Sequence, residues 1–241
     1  MHIQRDTWLS EVLARSVFSV HEAASGTVEE LGVACAQPGA FYFAKVTATD
    51  MQGMDVLSTA GFRVIEANVA LVRSIHPLVP GSTSANVHIC PARPEWRDEV
   101  LAVAGSAFRF SRFHLDPCID RAAADRVKRE WVRSYFDGQR GNRLLVALES
   151  HEPVAFLAFL VTAREDRRVG VIDLIGVRPD RQGRGIGERL VAAAVDECQG
   201  TADVLEVGTQ TANVPSLRLY EHTGFKVART GFVLHRHVAV A

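Results

Sequence analysis

Apolar positions along this chain fall into short runs of strand length, separated by stretches with helical spacing. That alternation predicts a layered α/β protein. Residues 41–46 read as a strand, residues 50–60 as a short helix stopped by Gly61, and residues 62–73 as a strand rich in β-branched side chains. The turn-forming stretch 79–85, Val-Pro-Gly-Ser-Thr-Ser-Ala, marks a boundary. Beyond it, residues 94–108 look helical, a loop carries Ser111-Arg-Phe-His-Leu-Asp-Pro, and residues 120–136 form a helix with Val127, Trp131 and Tyr135 on one stripe. Residues 144–148 and 154–162 read as a hairpin about His151-Glu-Pro. A strand at 169–177, a helix at 188–198, a strand at 204–208, a helix at 215–222 ended by Gly224, and a strand pair within 225–238 complete the pattern.

The segment after Gly61, Gly-Phe-Arg-Val-Ile-Glu-Ala-Asn-Val-Ala-Leu-Val-Arg, superposes on the one after Gly224, Gly-Phe-Lys-Val-Ala-Arg-Thr-Gly-Phe-Val-Leu-His-Arg. Convergence on a common helix-to-strand turn and a shared ancestral half-domain both account for it.

With 241 residues, 47% of them hydrophobic, and a formal charge of −1, the chain is large enough for a real core. That charge gives no whole-chain reason to expect nucleic acid or membrane as a partner. The longest apolar run, 154–161, is too short to span a bilayer. The first residues lack a basic stretch followed by an apolar one, so the expected location is cytoplasmic. Cys35, Cys90, Cys118 and Cys198 are scattered and read as free thiols. His235 and His237 share a strand face; a chance surface pair is the preferred reading over a metal site, and no metal is expected.

The chemistry concentrates where a strand passes through Arg181-Gln-Gly-Arg-Gly-Ile-Gly into a helix. Such a turn offers uncommitted N–H groups at a helix N-terminus, which favour a phosphate, and Arg181 and Arg184 add positive charge. No Gly-Lys-[Ser/Thr] ends the loop and the spacing is not Gly-x-Gly-x-x-Gly, which disfavours Walker A and Rossmann sites. Gln182-Gly-Arg-Gly-Ile-Gly instead resembles the acyl-CoA loop of the GNAT N-acetyltransferases, and Asn213-x-x-Ser216-x-x-x-Tyr220-x-x-x-Gly224-Phe225 resembles that family's second motif. The resemblance implies a GNAT fold, a mixed central sheet flanked by helices, in a catalytic domain at 86–241, preceded by a smaller GNAT-like half-domain at 1–80. It also implies acetyl-CoA as co-substrate, bound by Ile175, Gly176, Val177, Gln182, Gly183, Arg184, Gly185, Ile186, Gly187, Glu188, Asn213 and Tyr220.

A narrower similarity, to the TDP-fucosamine acetyltransferase group, rests on Ser111 to Pro117, Trp131-Val, Val207-Gly-Thr-Gln, Asn213, Tyr220, Phe232-Val-Leu-His and Leu57-x-x-x-Gly61-Phe-x-x-x-Glu66. Ser216 departs from it, standing where alanine is usual, and residues 21–38 match nothing. The similarity implies a nucleotide-diphosphate amino sugar as acceptor and admits a homodimer. Another amine (an aminoglycoside, a small metabolite or a protein N-terminus) and a non-catalytic acyl-CoA sensor are the competing readings.

Direct attack of an amine on a thioester needs an acid, a base and an oxyanion donor. The GNAT resemblance implies that the donor is a backbone N–H near Gly176 or Val177, where two parallel strands are expected to splay at the ends of 171–177 and 204–208. Tyr220 takes the acid position, against a purely packing tyrosine. Glu66 is the base that the narrower resemblance implies, against an outward-facing strand glutamate, and Asp173 competes for that role or serves structure. Arg112, Phe113 and His114 are placed on sugar and diphosphate, against a solvated basic loop, and Gln210 on the acceptor side. Asn213 also suits a helix cap before Pro215.

Overall fold

The computed structural model describes residues 1–78, 81, 86–141, 143–164 and 167–240. The boundary expected at 79–85 thus lies, except for Gly81, outside the described residues. The N-terminal part runs β1 (His2–Arg5), α1 (Thr7–Leu13), β2 (Val17–His21), α2 (Val28–Ala34), β3 (Phe41–Thr47), α3 (Met51–Thr59) and β4 (Arg63–Ser74). The C-terminal part follows as β5 (His88–Pro91), α4 (Arg97–Ala104), α5 (Arg112–Leu115), α6 (Arg121–Phe136), β6 (Arg143–Glu149), β7 (Glu152–Arg164), β8 (Arg167–Val177), α7 (Ile186–Cys198), β9 (Val204–Gln210), α8 (Val214–His222) and β10 (Lys226–His237).

All the strands join one sheet in the order β1-β2-β3-β10-β4-β9-β8-β7-β6-β5. Among the described residues, only β2–β3 and β8–β9 pair in parallel. The centre of this order is a palindrome of two copies. The ranges of β3, α3 and β4 recur at one constant offset as β9, α8 and β10, with 7, 9 and 12 residues in each copy. Asp50 and Asn213 cap the two helices from the same position, and Gly61 and Gly224 leave them at φ +86° and +82°. The internal similarity is therefore structural as well as sequential. Each copy hands its last strand to the other: β4 pairs with β9, β10 with β3, and β4 and β10 lie antiparallel between them.

β10 corrects two expectations. It is one strand of 12 residues where a strand pair was expected, because Gly231 serves close packing and makes no turn. A Cβ there would lie 2.4 Å from the Val46 carbonyl oxygen on β3, so only glycine lets the two strands meet. Because β10 is central, His235 is 2% exposed, and it joins His237 on the buried Asp116 carboxylate. The pair is therefore no surface accident; Asp116, Cys118 and His237 bring ligand-type atoms within 4.8 Å of one another. The β6–β7 hairpin turns on Ser150 and His151 at positive φ, one step earlier than the expected His151-Glu-Pro.

The core reflects this interleaving. Leu9, Val17, Phe41 and Phe43 of the N-terminal part pack with Phe113, Ile119, Ala124 and Val127 of the C-terminal part. At the expected ~25 cal/mol per Å² of apolar surface removed from water, that seam holds α5 and α6 against β3.

Candidate active site

The parallel pairing of β8 with β9 runs only from Val169↔Val204 to Ile172↔Val207. After that β9 stays with β4 as far as Gln210, while β8 stays with β7. Between the diverging strands, the edge of β8 from Asp173 onward is open, as the splay argument expected. Asp173 is itself the extra residue of a bulge, since Leu174 faces Ala158 and Ile172 faces Phe159. Two cavities open from the gap, of about 760 Å³ over Ile175 to Val177 and the glycine loop, and of about 490 Å³ against β4, α5 and α6. They share Phe108, Ser111, Ile175, Gln210, Asn213 and Ser216, so they form one continuous cleft.

The larger cavity has the features of a diphosphate site. Gly183 and Gly185 sit at φ +75° and +81°, conformations that cost an L side chain roughly 1–2 kcal/mol. Gly185 caps α7 without a side chain, leaving the first-turn N–H groups for a ligand. The helix before β3 lacks such an opening: Thr27 and Glu30 close the N-terminus of α2 with a reciprocal capping box.

The expected positive charge of the loop is already engaged. Arg184 Nη2 lies 2.9 Å from Glu149, and Arg181 pairs with both Glu149 and Asp180. Hydrogen bonding from Arg181, with Arg184 nearby, holds the Glu149 carboxyl below its ordinary pKa. With both guanidinium groups paired, main-chain donors and the helix dipole are the loop's remaining attraction for an anion. The Gln182 amide donates to the Val177 carbonyl at 3.0 Å and closes the turn. Glu188 lines the groove and accepts the Gly81 N–H at 2.6 Å, while Ile186 and Gly187 pack the helix start against the core and Leu219. Gly185→Val is expected to raise the acetyl-CoA KM by roughly tenfold through this backbone strain, read by initial rates against coenzyme concentration. An unchanged KM would show that the loop does not hold the coenzyme.

The smaller cavity gathers Tyr220, Glu66, Arg112, Phe113, Gln210 and Asp173. Tyr220 is 2% exposed and packs edge-on to Phe225, with ring centroids 5.4 Å apart. Its hydroxyl has no hydrogen-bond partner among the described residues, and burial alone raises its pKa. It is a protonated donor facing the cleft. Glu66 is 7% exposed, which removes the solvated-strand reading. Burial raises its pKa, opposed by the charges of Arg112 and Lys128 and by hydrogen bonds from the Gln210 side chain and the Arg112 N–H.

Asp173 has a different character. Burial pushes its pKa up, but Arg140, Trp131 and Tyr135 all donate to it, and the net shift is downward. Trp131 Nε1 lies 2.8 Å away, Tyr135 Oη 2.9 Å and Arg140 Nη2 3.1 Å. A carboxylate so filled orders α6 against β8 and is a poor proton acceptor.

Arg112 is sandwiched between Phe43 and Phe113, its guanidinium carbon 4.0 and 4.4 Å from the ring centroids. Its Nη1 lies 3.3 Å from His235 Nε2, and burial lowers its pKa to about 10. His114 lies outside both cavity linings. Ser111 Oγ at 2.7 Å and Asp125 at 3.0 Å hold its two ring nitrogens, so it positions the loop rather than reaching a sugar. Asn213 accepts the Ser216 N–H at 3.3 Å, so the capping role is real while its side chain still lines both cavities. Sequence reasoning missed Lys128, Lys45 and Phe108. The available signal was a lysine at position 128 on the stripe of Ala124, Val127 and Trp131, where a charge needs a partner or a task.

A β-bulge, a splayed parallel pair and an uncapped glycine turn thus border one continuous cleft. The sequence profile of the acetyltransferase (GNAT) family matches residues 110–225, and this chain carries a GNAT acetyltransferase domain. It is similar to the spore coat polysaccharide biosynthesis protein SpsD of Bacillus subtilis, with 25% identity over 95% of this chain and 80% of that protein. It is also similar to the dTDP-fucosamine acetyltransferase of Escherichia coli, with 24% identity over 80% of each chain. Among solved structures, a GCN5-related N-acetyltransferase from Sphaerobacter thermophilus shares the fold at a TM-score of 0.64 and 15% identity, covering 98% of this chain and 76% of that one. Such enzymes use acetyl-CoA as co-substrate. No helix among the described residues is long and apolar enough to cross a membrane.

Proposed function

We propose that this chain transfers the acetyl group of acetyl-CoA to the amine of a nucleotide-diphosphate amino sugar of dTDP type. The observation that carries the reading is the continuous cleft, with an uncapped glycine turn at one end and Glu66 and Tyr220 together at the other. Two relatives, one named for polysaccharide biosynthesis and one for dTDP-fucosamine acetylation, support the choice of acceptor.

Acetyl-CoA supplies the activated acyl group. Glu66, with its pKa raised by burial, is suited to drawing a proton from the acceptor ammonium near neutral pH. Main-chain N–H groups at the open edge of β8 meet the developing oxyanion, and Tyr220 returns a proton to the departing thiolate. Asp173 holds the bulge that opens the gap.

Thiol release from acetyl-CoA, measured with dTDP-linked amino sugars, tests the reading directly. Release that depends on the amino sugar is the expected result. Release with an aminoglycoside or peptide alone would move the acceptor, and none with any amine despite coenzyme binding would make the protein a sensor. Glu66→Gln is expected to abolish the acidic limb of the kcat/KM pH profile, whose midpoint in the wild type lies above the ordinary carboxylate range. An identical limb in the variant would remove Glu66 from the proton path.

A further inference from the structure

Lys128 has no counterpart in the mechanism above, and its surroundings are unusual for a lysine. It lies on α6 and is 6% exposed. Its ammonium lies 4.8 Å from the centre of the Phe108 ring and 5.0 Å from that of Trp131. It makes no hydrogen bond among the described residues, although it lines the smaller cavity. A buried ammonium with unmade hydrogen bonds is costly, and one that opens on a binding cavity can recover that cost from a ligand.

The charges around it have one sign in excess. Asp173 is engaged by Arg140, and Arg229 lies 3.8 Å from Glu206. Among the charged groups lining the cavity, that leaves Lys45, Arg112 and Lys128 facing the single carboxylate of Glu66. Burial lowers the Lys128 pKa to about 8, with Glu66 pulling the other way, so the ammonium is mostly charged at neutral pH. A polycationic acceptor would meet repulsion in this pocket, whereas an anionic one would complete it.

We propose that Lys128, with Arg112 beside it and Lys45 at the mouth, seats an anionic group of the acceptor, making the substrate an amine that also carries a phosphate or a carboxylate. The inference rests on the amine-acetylating reading of the cleft and gives Lys128 the role of selecting among amines. Its side chain touches the substrate away from the reacting atoms, so its effect falls on acceptor affinity.

The test pairs rates with binding in the full chain. Initial rates are measured with a dTDP-linked amino sugar, the same sugar as its 1-phosphate, the free sugar, an α-amino acid and spermidine. The wild type should favour the anionic amines over the free sugar by about tenfold or more in kcat/KM, the scale of one charge-assisted hydrogen bond, and should take spermidine least. Preference for the phosphorylated sugars over the amino acid assigns a phosphate to the seat, and the reverse assigns a carboxylate. In Lys128→Gln the ratio of anionic to neutral acceptor KM should collapse toward one, and Lys128→Arg should restore the preference. Because the Lys128 charge also acts on Glu66, the deciding readout is this ratio and not kcat, and an unchanged ratio of anionic to neutral acceptor KM in Lys128→Gln would overturn the proposal.

Binding is followed separately by calorimetry, titrating inorganic pyrophosphate or acetate into protein saturated with CoA, so that the glycine turn is already filled. Saturable anion binding in the wild type that is lost in a folded Lys128→Gln supports the seat even if no amine is acetylated, in which case only the acetylation reading fails. No anion binding in the wild type, or equal binding in the variant, would remove the seat.

Discussion

Tyr220→Phe is expected to lower kcat by about 10²–10⁴-fold, the range for loss of a positioned general acid, while the protein keeps its fold and its affinity for acetyl-CoA. The phenyl ring retains the contact with Phe225, and the hydroxyl it loses makes no hydrogen bond to the described residues, so stability should barely change. The missing function is a proton at the thiolate. Burial holds the phenol protonated throughout the physiological range, which suits a donor and excludes a resting phenolate base. An aryl thioester, whose leaving group needs no proton, should therefore narrow the gap between variant and wild type. Unchanged turnover with acetyl-CoA would reduce Tyr220 to a packing residue.

The site was legible in the sequence where local rules govern it. Glycines at positions that demand positive φ, and a helix cap three residues before Ser216, announce themselves without tertiary information. The readings that failed depended on which strand lies beside which. His235 and His237 share a strand face in any arrangement, but only the placement of β10 between β3 and β4 buries His235 and half-buries His237. The strand pair expected within 225–238 is one strand because Gly231 lies against the Val46 carbonyl, a contact that sequence cannot show. His114 and Arg112 are near neighbours in one short helix, yet Ser111 and Asp125 take one while two aromatic rings aim the other into the cleft.

The two copies also explain why the acceptor side was harder to read than the coenzyme side. The glycine turn is one contiguous stretch of chain, whereas the smaller cavity takes Glu66 from the first copy, Gln210 and Tyr220 from the second, and Arg112 and Lys128 from the segment between them. Motif spacing cannot show such a convergence, because it arises from exchanged strands. The same exchange places Arg112 against His235 and thereby links the cleft to the Asp116 cluster.

That cluster carries the largest expected effect on stability. Asp116 is 2% exposed and accepts from His235 Nδ1 at 2.6 Å, His237 Nε2 at 2.7 Å and the Cys118 N–H at 2.9 Å. Burial would raise its pKa, but these donors hold it well below the ordinary value. Asp116→Ala leaves the two imidazoles without their acceptor and the charge of Arg112 less balanced, and should cost about 3–5 kcal/mol at pH 7, read as a shift in the urea midpoint.

The wild type should also be acid-labile in a defined window. Burial depresses the His235 pKa to about 4, and the Arg112 N–H occupies the ring nitrogen a second proton would need. Between its ordinary value and pH 4 the unfolded chain therefore binds more protons than the folded one. Stability is full above about pH 6.5 and declines as pH falls toward 4, by on the order of 3 kcal/mol from this one group. Below that, protonation of Asp116 removes the anchor itself. His235→Gln should flatten the decline between pH 6.5 and 4, and an unaltered slope would place the acid-sensitive group elsewhere. A chelator should leave the wild-type urea midpoint where it is, since hydrogen bonds satisfy Asp116. A chelator-dependent midpoint would instead assign Asp116, Cys118 and His237 to a metal ion.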